Sequence, residues 1–404
     1  GEDQPHSMIE KTLEAGKVVE GHAPNLKPEQ LNAYISAGIT SCHESTTKSE
    51  ALRKLRLGMY PMIREGFESI KNLGELIRIV TEEDIQTNRI SLVTDDRHPE
   101  DLIAEGHMNH VVKRAIEEGV DPVDAIRMGT LNTASHYKVD EVVGGIAPGR
   151  FADMILLDDL SEVSIAQVIA GGEIVAKEGE FLGKESYFEY PEKAKNTVRI
   201  PSRIEPKDFE IKSEAERETE VRVMGVKEDS PVIEHRKKKL PVKKGVIEAG
   251  RESGLSKVAV IERHRETGNI GLGYAEGFGF EKGATASTIA HDSHNLIVIG
   301  TNEEDMALAA NKLAEVGGGL ITVKDGEVLG LVELPIAGLM SSRPLEETRA
   351  KMSEIEKTWK ELGCKMDHPF PTIILLALPV LPELRITDKG LVDTIDFELL
   401  NVEV

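Results

Sequence analysis

Two histidines and an aspartate stand where short β-like runs end. His22 closes the run KVVEGHAP, His43 closes ITSCHES, and Asp95 closes ISLVTDDRHP. Two imidazoles and a carboxylate are suitable ligands for a divalent transition metal. Such a metal polarises water and makes hydroxide available near neutral pH. We therefore expect His22 and His43 to be ligands, and Asp95 to act both as a ligand and as the acceptor of the nucleophilic water's proton. Each histidine alone is better explained as an ordinary capped or exposed strand-end residue, and a metal is indicated only because all three side chains stand at corresponding strand ends.

The elements that would position these side chains alternate between strand and helix. Strand-like runs at 17–24, 39–45, 59–66 and 90–99 are separated by segments with helical periodicity. This alternation is typical of parallel α/β units, in which chemistry gathers at the carboxyl ends of the strands. The sequence predicts an α/β fold containing the second half of an eight-stranded TIM-like (β/α)8 barrel. We expect the first half to be missing.

The sequence after residue 138 predicts two further domains. We divide the sequence into the half-barrel at 1–138, return strands of a small β domain at 139–190, and a carboxy-terminal α+β domain at 191–404. The polar, Lys/Glu-rich stretch from about 190 to 245 supports the second boundary, since it dilutes the apolar pattern.

Composition limits the classes of function. With 49 Lys and Arg against 71 Asp and Glu, the net charge of −22 disfavours binding to nucleic-acid phosphates. No apolar run approaches the roughly 20 residues of a membrane-spanning helix. Two cysteines are too few for a disulfide framework and are compatible with a reducing compartment. We expect a cytoplasmic protein that contacts neither membrane nor nucleic acid.

Several segments resemble the bacterial and archaeal adenine deaminases of the amidohydrolase superfamily. The segments that resemble its barrel motifs are GHAP (21–24), LNAYISAGITSCHES (31–45), MIREG (62–66) and VTDDRHPEDLIAEGH (93–107). GGIAPGRFADMILLD (144–158) resembles strands of the small β domain, and ATASTIAHDSHNLIVIG (284–300) resembles the family's carboxy-terminal domain. The resemblance implies hydrolytic deamination of adenine to hypoxanthine and ammonia in purine salvage, at a two-metal centre of manganese or iron.

The resemblance also implies roles for single residues. His22 and His43 match the metal histidines of the fifth and sixth strands, and Asp95 matches the aspartate of the eighth, with Asp96 as the alternative register. Glu44 directly follows the matched histidine His43 and is the candidate for shuttling a proton to the purine ring or to the leaving amine. A strand-end salt bridge is the other interpretation of Glu44.

Two features of the family have no counterpart that we can place. These are the His-x-His pair of the first strand and the bridging carboxylate of the fourth. Glu2 is the nearest carboxylate, but it precedes a predicted helix rather than ending an apolar strand. We therefore expect an incomplete metal site and doubtful activity for this chain by itself.

Further residues are candidates for substrate contact. Arg64 and Glu65 end the third predicted strand and would either touch the substrate or form an ion pair. His291, Asp292 and His294 lie in the HDSHN segment, which would cap the adenine pocket, hold another metal, or simply form a turn.

Two alternatives to adenine deamination remain open. One is a related amidohydrolase that acts on another cyclic amidine or amide. The other is an inactive or regulatory half that requires a partner supplying the missing strands. Whether the chain is an adenine deaminase or a related amidohydrolase, we expect a small-molecule substrate and a homo-oligomer.

Overall fold

A computed structural model describes residues 3–67, 70–83, 85–183, 188–228, 230, 232–249 and 253–404. Glu2 lies outside the described residues. The chain divides into two compact units, residues 1–187 and residues 188–404. This division falls close to the boundary predicted at residue 190. The assignment of the segments 1–138 and 139–190 to separate domains stays a prediction.

The first unit is built on a parallel sheet. Its strands β1 (Ser41–Cys42), β2 (Tyr60–Arg64) and β5 (Ser91–Val93) lie in the order β1-β2-β5. The register pairs Cys42 with Pro61 and Arg64 with Val93. A small hairpin of β3 (Gly66–Phe67) and β4 (Ile70–Lys71) lies between β2 and β5 in sequence. Helices alternate with these strands, so the predicted α/β class is confirmed.

The helices of this unit begin where the sequence supplies caps. Thr47 accepts a hydrogen bond from the Glu50 amide at the start of α3, and Asp121 caps α8, which begins with a proline. Buried residues such as Ile63 and Leu92 on the sheet pack with residues of these helices in one hydrophobic cluster. The helices are α1 (Asp3–Glu14), α2 (Pro28–Ser36), α3 (Lys48–Arg56), α4 (Leu73–Leu76), α5 (Arg78–Thr81), α6 (Pro99–Ala104), α7 (Met108–Glu117), α8 (Pro122–Gly129) and α9 (Leu131–His136).

The prediction of a strand over residues 17–24 is wrong in its length. The structure has a single parallel bridge there, between Val19 and Ile39. Gly21 weakens an extended ladder, and Pro24 has no amide hydrogen to donate to one. The segment therefore carries His22 on a loop that follows one bridge rather than at the end of a strand.

The small β domain predicted by the sequence corresponds to an antiparallel sheet in the order β6-β7-β8-β9. Its strands are β6 (Met154–Asp159), β7 (Ser164–Ala170), β8 (Glu173–Lys177) and β9 (Glu180–Phe181). None of their residues is fully buried, and Ile155, Ile174 and Phe181 are 58%, 51% and 65% exposed. This sheet thus presents apolar side chains that its own unit does not cover.

The second unit is a mixed α+β structure, as predicted for this region. Its large sheet has the order β12-β11-β10-β14-β13-β16-β15-β17-β18, in which β10 and β14 are parallel and the other pairs are antiparallel. A separate sheet has the order β19-β20-β21. The strands are β10 (Glu218–Gly225), β11 (Glu234–Lys243), β12 (Val246–Ile247), β13 (Leu255–Ile261), β14 (Ile270–Glu276), β15 (Ala284–Ser287), β16 (Leu296–Gly300), β17 (Gly319–Lys324), β18 (Glu327–Glu333), β19 (Leu384–Thr387), β20 (Gly390–Asp393) and β21 (Glu398–Leu400).

Helices cover this large sheet. Those of the second unit are α10 (Glu303–Val316), α11 (Leu345–Glu361) and α12 (Pro369–Leu375). Asn302 caps α10 through the Asp305 amide, and Gly317 ends it in a left-handed conformation. Met306 and Leu313 on α10 pack against Val298 on β16 in the main apolar cluster.

Within the described residues, the helices lack the combination of length and apolar composition that crossing a bilayer requires.

Candidate active site

Four side chains meet where the parallel strands of the first unit end. His43 and Glu44 follow β1, Arg64 ends β2, and Asp95 follows β5. Because the carboxyl ends of adjacent parallel strands share one edge of a sheet, the topology itself gathers these residues.

His22, His43 and Glu44 form a compact group. The Oε1 atom of Glu44 lies 3.4 Å from Nδ1 of His22 and 3.4 Å from Nε2 of His43. The two imidazole rings are edge to face with their centroids 4.4 Å apart. One ligand atom from each residue lies within 4.8 Å of the other two. Two nitrogen donors and one carboxylate oxygen at this spacing fit a divalent cation.

Arg64 connects this group to Asp95. Its Nη1 donates to Oε1 of Glu44 at 3.0 Å and to Oδ2 of Asp95 at 2.5 Å. Glu44, rather than Asp95, completes the group of three with the histidines. The interpretation of Asp95 as a metal ligand stays a prediction. The sequence suggested proton transfer or a strand-end salt bridge for Glu44, and not metal binding. Its position directly after His43 was the signal that could have indicated a ligand.

Glu44 and Arg64 each stabilise the charged form of the other. Burial raises the pKa of Glu44, but the hydrogen bond with His22 and the charge of Arg64 outweigh burial and lower that pKa to about 2. Burial lowers the pKa of Arg64, whereas the charges of Glu44 and Asp95 raise it above its ordinary value. Glu44 is therefore a carboxylate at neutral pH, able to bind a cation or accept a proton.

A close packing contact shapes the loop that carries His22. A Cβ atom at Gly21 would lie 1.9 Å from the Tyr34 hydroxyl oxygen and 2.7 Å from Cγ2 of Ile39. A larger residue would have to displace the side chains of Tyr34 and Ile39, so the glycine allows the chain to pass close to Tyr34 on α2 directly before His22.

Glu20 fixes the same loop from another side. Its carboxylate accepts hydrogen bonds from the Ser41 hydroxyl and, at 3.0 Å, from Nε2 of His136. Ser41 begins β1, whereas the buried His136 ends α9. Burial raises the pKa of Glu20, but hydrogen bonds from His136, Ser41 and Tyr137 outweigh it and lower the pKa from 4.5 to about 2. Glu20 thus joins the segment before His22 to the strand before His43.

This lowered pKa predicts a pH dependence of stability. A group with a depressed folded-state pKa contributes stability that is complete above its unfolded pKa, here 4.5, and is lost as the pH falls towards about 2. Chemical unfolding at pH 5 and pH 3 should therefore show a smaller loss of unfolding free energy for Glu20→Gln than for the wild type. Glu14→Gln, an exposed change on α1, is the matched control and should lose as much as the wild type. Equal losses in all three proteins would contradict the assignment.

Two other predicted substrate contacts, Glu65 and Asp96, are not members of the group formed by His22, His43 and Glu44. Glu65 is buried, and its Oε1 lies 3.5 Å from Nε2 of His110 and 3.8 Å from Nε of Arg114. Asp96 is exposed, and its amide donates to the Asp95 carboxylate at 2.8 Å. Of the two alternatives predicted for Glu65, substrate contact or an ion pair, the structure contains the ion pairs with His110 and Arg114. The substrate roles of both residues stay predictions.

The HDSHN segment belongs to the second unit, between β15 and β16. The rings of His291 and His294 have centroids 5.4 Å apart, and the Asp292 side chain is largely exposed. Nδ1 of His294 accepts the Ala290 amide at 3.1 Å, and the buried Arg263 donates through Nε to the His294 carbonyl at 2.5 Å. The loop is therefore well ordered by hydrogen bonds, and its predicted role as a cap for the substrate stays a prediction.

Comparison with known proteins identifies relatives over the whole chain. The amidohydrolase family matches residues 2–175, and the adenine deaminase C-terminal domain matches residues 231–398. An adenine deaminase of Moorella thermoacetica is 47% identical over 404 residues, which are 100% of this chain and 68% of that protein. One from Clostridium botulinum strain 657 is 44% identical over 99% of this chain and 67% of its own length. Adenine deaminase 3 of Rhizobium meliloti is 42% identical over 98% of this chain and 67% of its own length. The chain spans about two thirds of the length of these relatives.

Proposed function

The chain belongs to the adenine deaminase family, and we propose that it carries out the hydrolytic deamination of adenine to hypoxanthine and ammonia. The observation that carries the proposal is the group of His22, His43 and Glu44 beside the ion pair of Arg64 and Asp95. These residue types suit a hydrolysis that needs a cation, a proton acceptor and a fixed positive charge.

His22 and His43 would hold a divalent cation, with Glu44 or Asp95 as a further ligand. We propose manganese or iron, in a centre that is binuclear in the complete family site. When bound, such a cation makes hydroxide available near neutral pH. The donor set supports a divalent cation at this place because both imidazoles present a ring nitrogen towards the same carboxylate oxygen.

The carboxylates of the site would accept and donate the protons of the reaction. In the reaction, a C–O bond forms at C6 of adenine and the C6–N bond breaks. Of the two protons of the water, one goes to the departing amine and the other ends on the ring nitrogen N1 of hypoxanthine. Asp95 accepts the first of these protons from the attacking water, and either Asp95 or Glu44 delivers it to the amine, which leaves as ammonia. Glu44 begins as an anion, so it must accept a proton before it can donate one. Arg64 keeps both carboxylates oriented in the resting site.

Substrate recognition would use further polar groups of the chain. We propose contacts from Arg64, Asp96 and Glu65, and a capping role for the loop containing His291, Asp292 and His294. Buried polar groups that remain unpaired with the wrong ring would provide the discrimination among bases. We further propose a role in purine salvage, a cytoplasmic location and a homo-oligomeric state.

A substrate panel tests the proposed reaction. The full chain, loaded with Mn²⁺, is assayed for ammonia release from adenine, adenosine, guanine and cytosine. Adenine should be turned over, with hypoxanthine as the product, and the other three compounds should react at least about a hundredfold more slowly. Turnover of another compound with adenine inert would replace this proposal with a different cyclic amidine or amide as substrate.

A second candidate is a chain that is active only beside a partner supplying further strands. The observation that favours it is the sheet β6-β7-β8-β9, whose apolar side chains are exposed. Uncovered apolar surface of this kind is typical of an interaction site. Native mass measurement and metal analysis distinguish the two candidates. A metal-free and inactive chain that gains both metal and activity with an added partner supports the second.

A further inference from the structure

A buried lysine lies beneath the loops that carry the two histidines. Lys54 is on α3, and its side chain is only 1% exposed. Lysine is almost never fully buried unless its charge is paired. The ammonium group has three hydrogens to donate, and three acceptors surround it: Sγ of Cys42 at 3.2 Å, Oγ of Ser45 at 2.9 Å and Oε1 of Glu50 at 2.9 Å.

Two of these acceptors flank the proposed ligands. Cys42 directly precedes His43, and Ser45 directly follows Glu44. Both acceptors are buried, and Sγ of Cys42 also lies 3.4 Å from the Glu44 amide nitrogen, which donates to it. Lys54 therefore holds both ends of the dipeptide His43–Glu44.

The third acceptor extends this connection to the other ligand loop. Glu50 is one helical turn before Lys54 on the same face of α3, and its side chain is 12% exposed. Its Oε1 accepts the amide of Asn25 at 2.8 Å, in the loop after His22, while its Oε2 accepts the amide of Thr46 at 3.1 Å. One helix thus connects the loop of His22 with the loop of His43.

We propose that Glu50 and Lys54 form a positioning pair that sets the separation of His22 and His43 and thereby the affinity of the site for its cation. This inference rests on the proposed function, since it concerns the same metal site. Neither residue belongs to the group of candidate ligands. Because the pair carries no net charge, its effect acts through the geometry of the loops and not through attraction of the cation. Outer-sphere partners that orient ligands typically change metal affinity by about 10- to 100-fold.

The test compares Lys54→Met with Arg53→Met in the full chain. Arg53 precedes Lys54 on the same helix but is exposed, so its replacement is the matched control. Mn²⁺ affinity is measured by competition with a chelator, and folding is measured by circular dichroism and thermal unfolding. Lys54→Met should bind Mn²⁺ about 10- to 100-fold more weakly, while Arg53→Met should bind like the wild type. A folded Lys54→Met protein with wild-type affinity overturns the inference.

If Lys54→Met does not fold, a second pair of variants tests the positioning role of Glu50 and Lys54. Ser45→Ala and Cys42→Ala each remove one acceptor but leave the Lys54–Glu50 ion pair intact. Each should weaken Mn²⁺ binding by about threefold or more, within the range of one lost hydrogen bond, and unchanged affinity in both overturns the inference. If the wild-type chain binds no Mn²⁺, the proposed metal site itself is wrong. If the wild type binds Mn²⁺ and the variants bind it with the same affinity, only the role of the positioning pair is wrong.

Discussion

Replacing His43 by alanine is expected to give a folded protein that neither retains its cation nor deaminates adenine. His43 supplies one of the two imidazole nitrogens, and its Nε2 lies 3.4 Å from Oε1 of Glu44. Without it the site keeps one imidazole, and Glu44 loses a neighbouring donor. We expect Mn²⁺ affinity to fall more than about 100-fold, beyond the effect of an outer-sphere change. Turnover should fall at least about a thousandfold, because hydroxide is scarce near neutral pH without the cation.

The matched control for this variant is His107→Ala. His107 is exposed, precedes α7 and is not in the group of candidate ligands. This control should keep both metal and activity. If His43→Ala bound Mn²⁺ and deaminated adenine like the His107→Ala protein, the assignment of His43 would be wrong. Metal content, measured by elemental analysis after dialysis, and initial rates of ammonia release provide the two readings.

Asp95→Asn is expected to leave the fold intact and to lower kcat by about 10²- to 10⁴-fold, the usual contribution of a general base. Asparagine has nearly the same size but cannot accept a proton. The change also removes the negative charge that receives the hydrogen bond from Arg64. Single-turnover measurements with adenine would place the loss in the chemical step.

Asp96→Asn is the natural comparison because Asp96 is the neighbouring residue and is exposed. It distinguishes the two registers considered for the aspartate. A large loss for Asp95→Asn and a small one for Asp96→Asn supports Asp95. The reverse order would transfer the role to Asp96. Metal analysis of Asp95→Asn then separates the two functions of the carboxylate, since retained metal with lost turnover indicates a proton acceptor and lost metal indicates a ligand.

The meeting of His43, Arg64 and Asp95 could be anticipated from the sequence. Alternating strand and helix patterns predict parallel strands, and parallel strands place their carboxyl ends along one edge. That reasoning needs only periodicity and strand ends, which are local properties. It was less successful for the segment before His22, where Gly21 and Pro24 leave one bridge in place of the predicted strand.

The partners of individual side chains were not predictable in this way. Arg64 bridges Glu44 and Asp95, but the sequence allowed either substrate contact or an ion pair. Lys54 lies in the charged segment SEALRKLRLG, whose composition suggests a solvated face, and yet it is buried. Its acceptors come from β1, from the loop between β1 and α3, and from α3 itself, so only the tertiary structure identifies its burial.

In the proposed site, His22 and His43 together bind one divalent cation at the edge of the parallel sheet. Anomalous diffraction from crystals of the full chain grown with Mn²⁺ tests it most directly. We expect a manganese peak within about 2.3 Å of a ring nitrogen of each histidine, a usual distance for metal–imidazole bonds. A carboxylate oxygen of Glu44 or Asp95 should complete the set of ligands. Manganese bound elsewhere, with the two imidazoles directed away from each other, would contradict the proposed site.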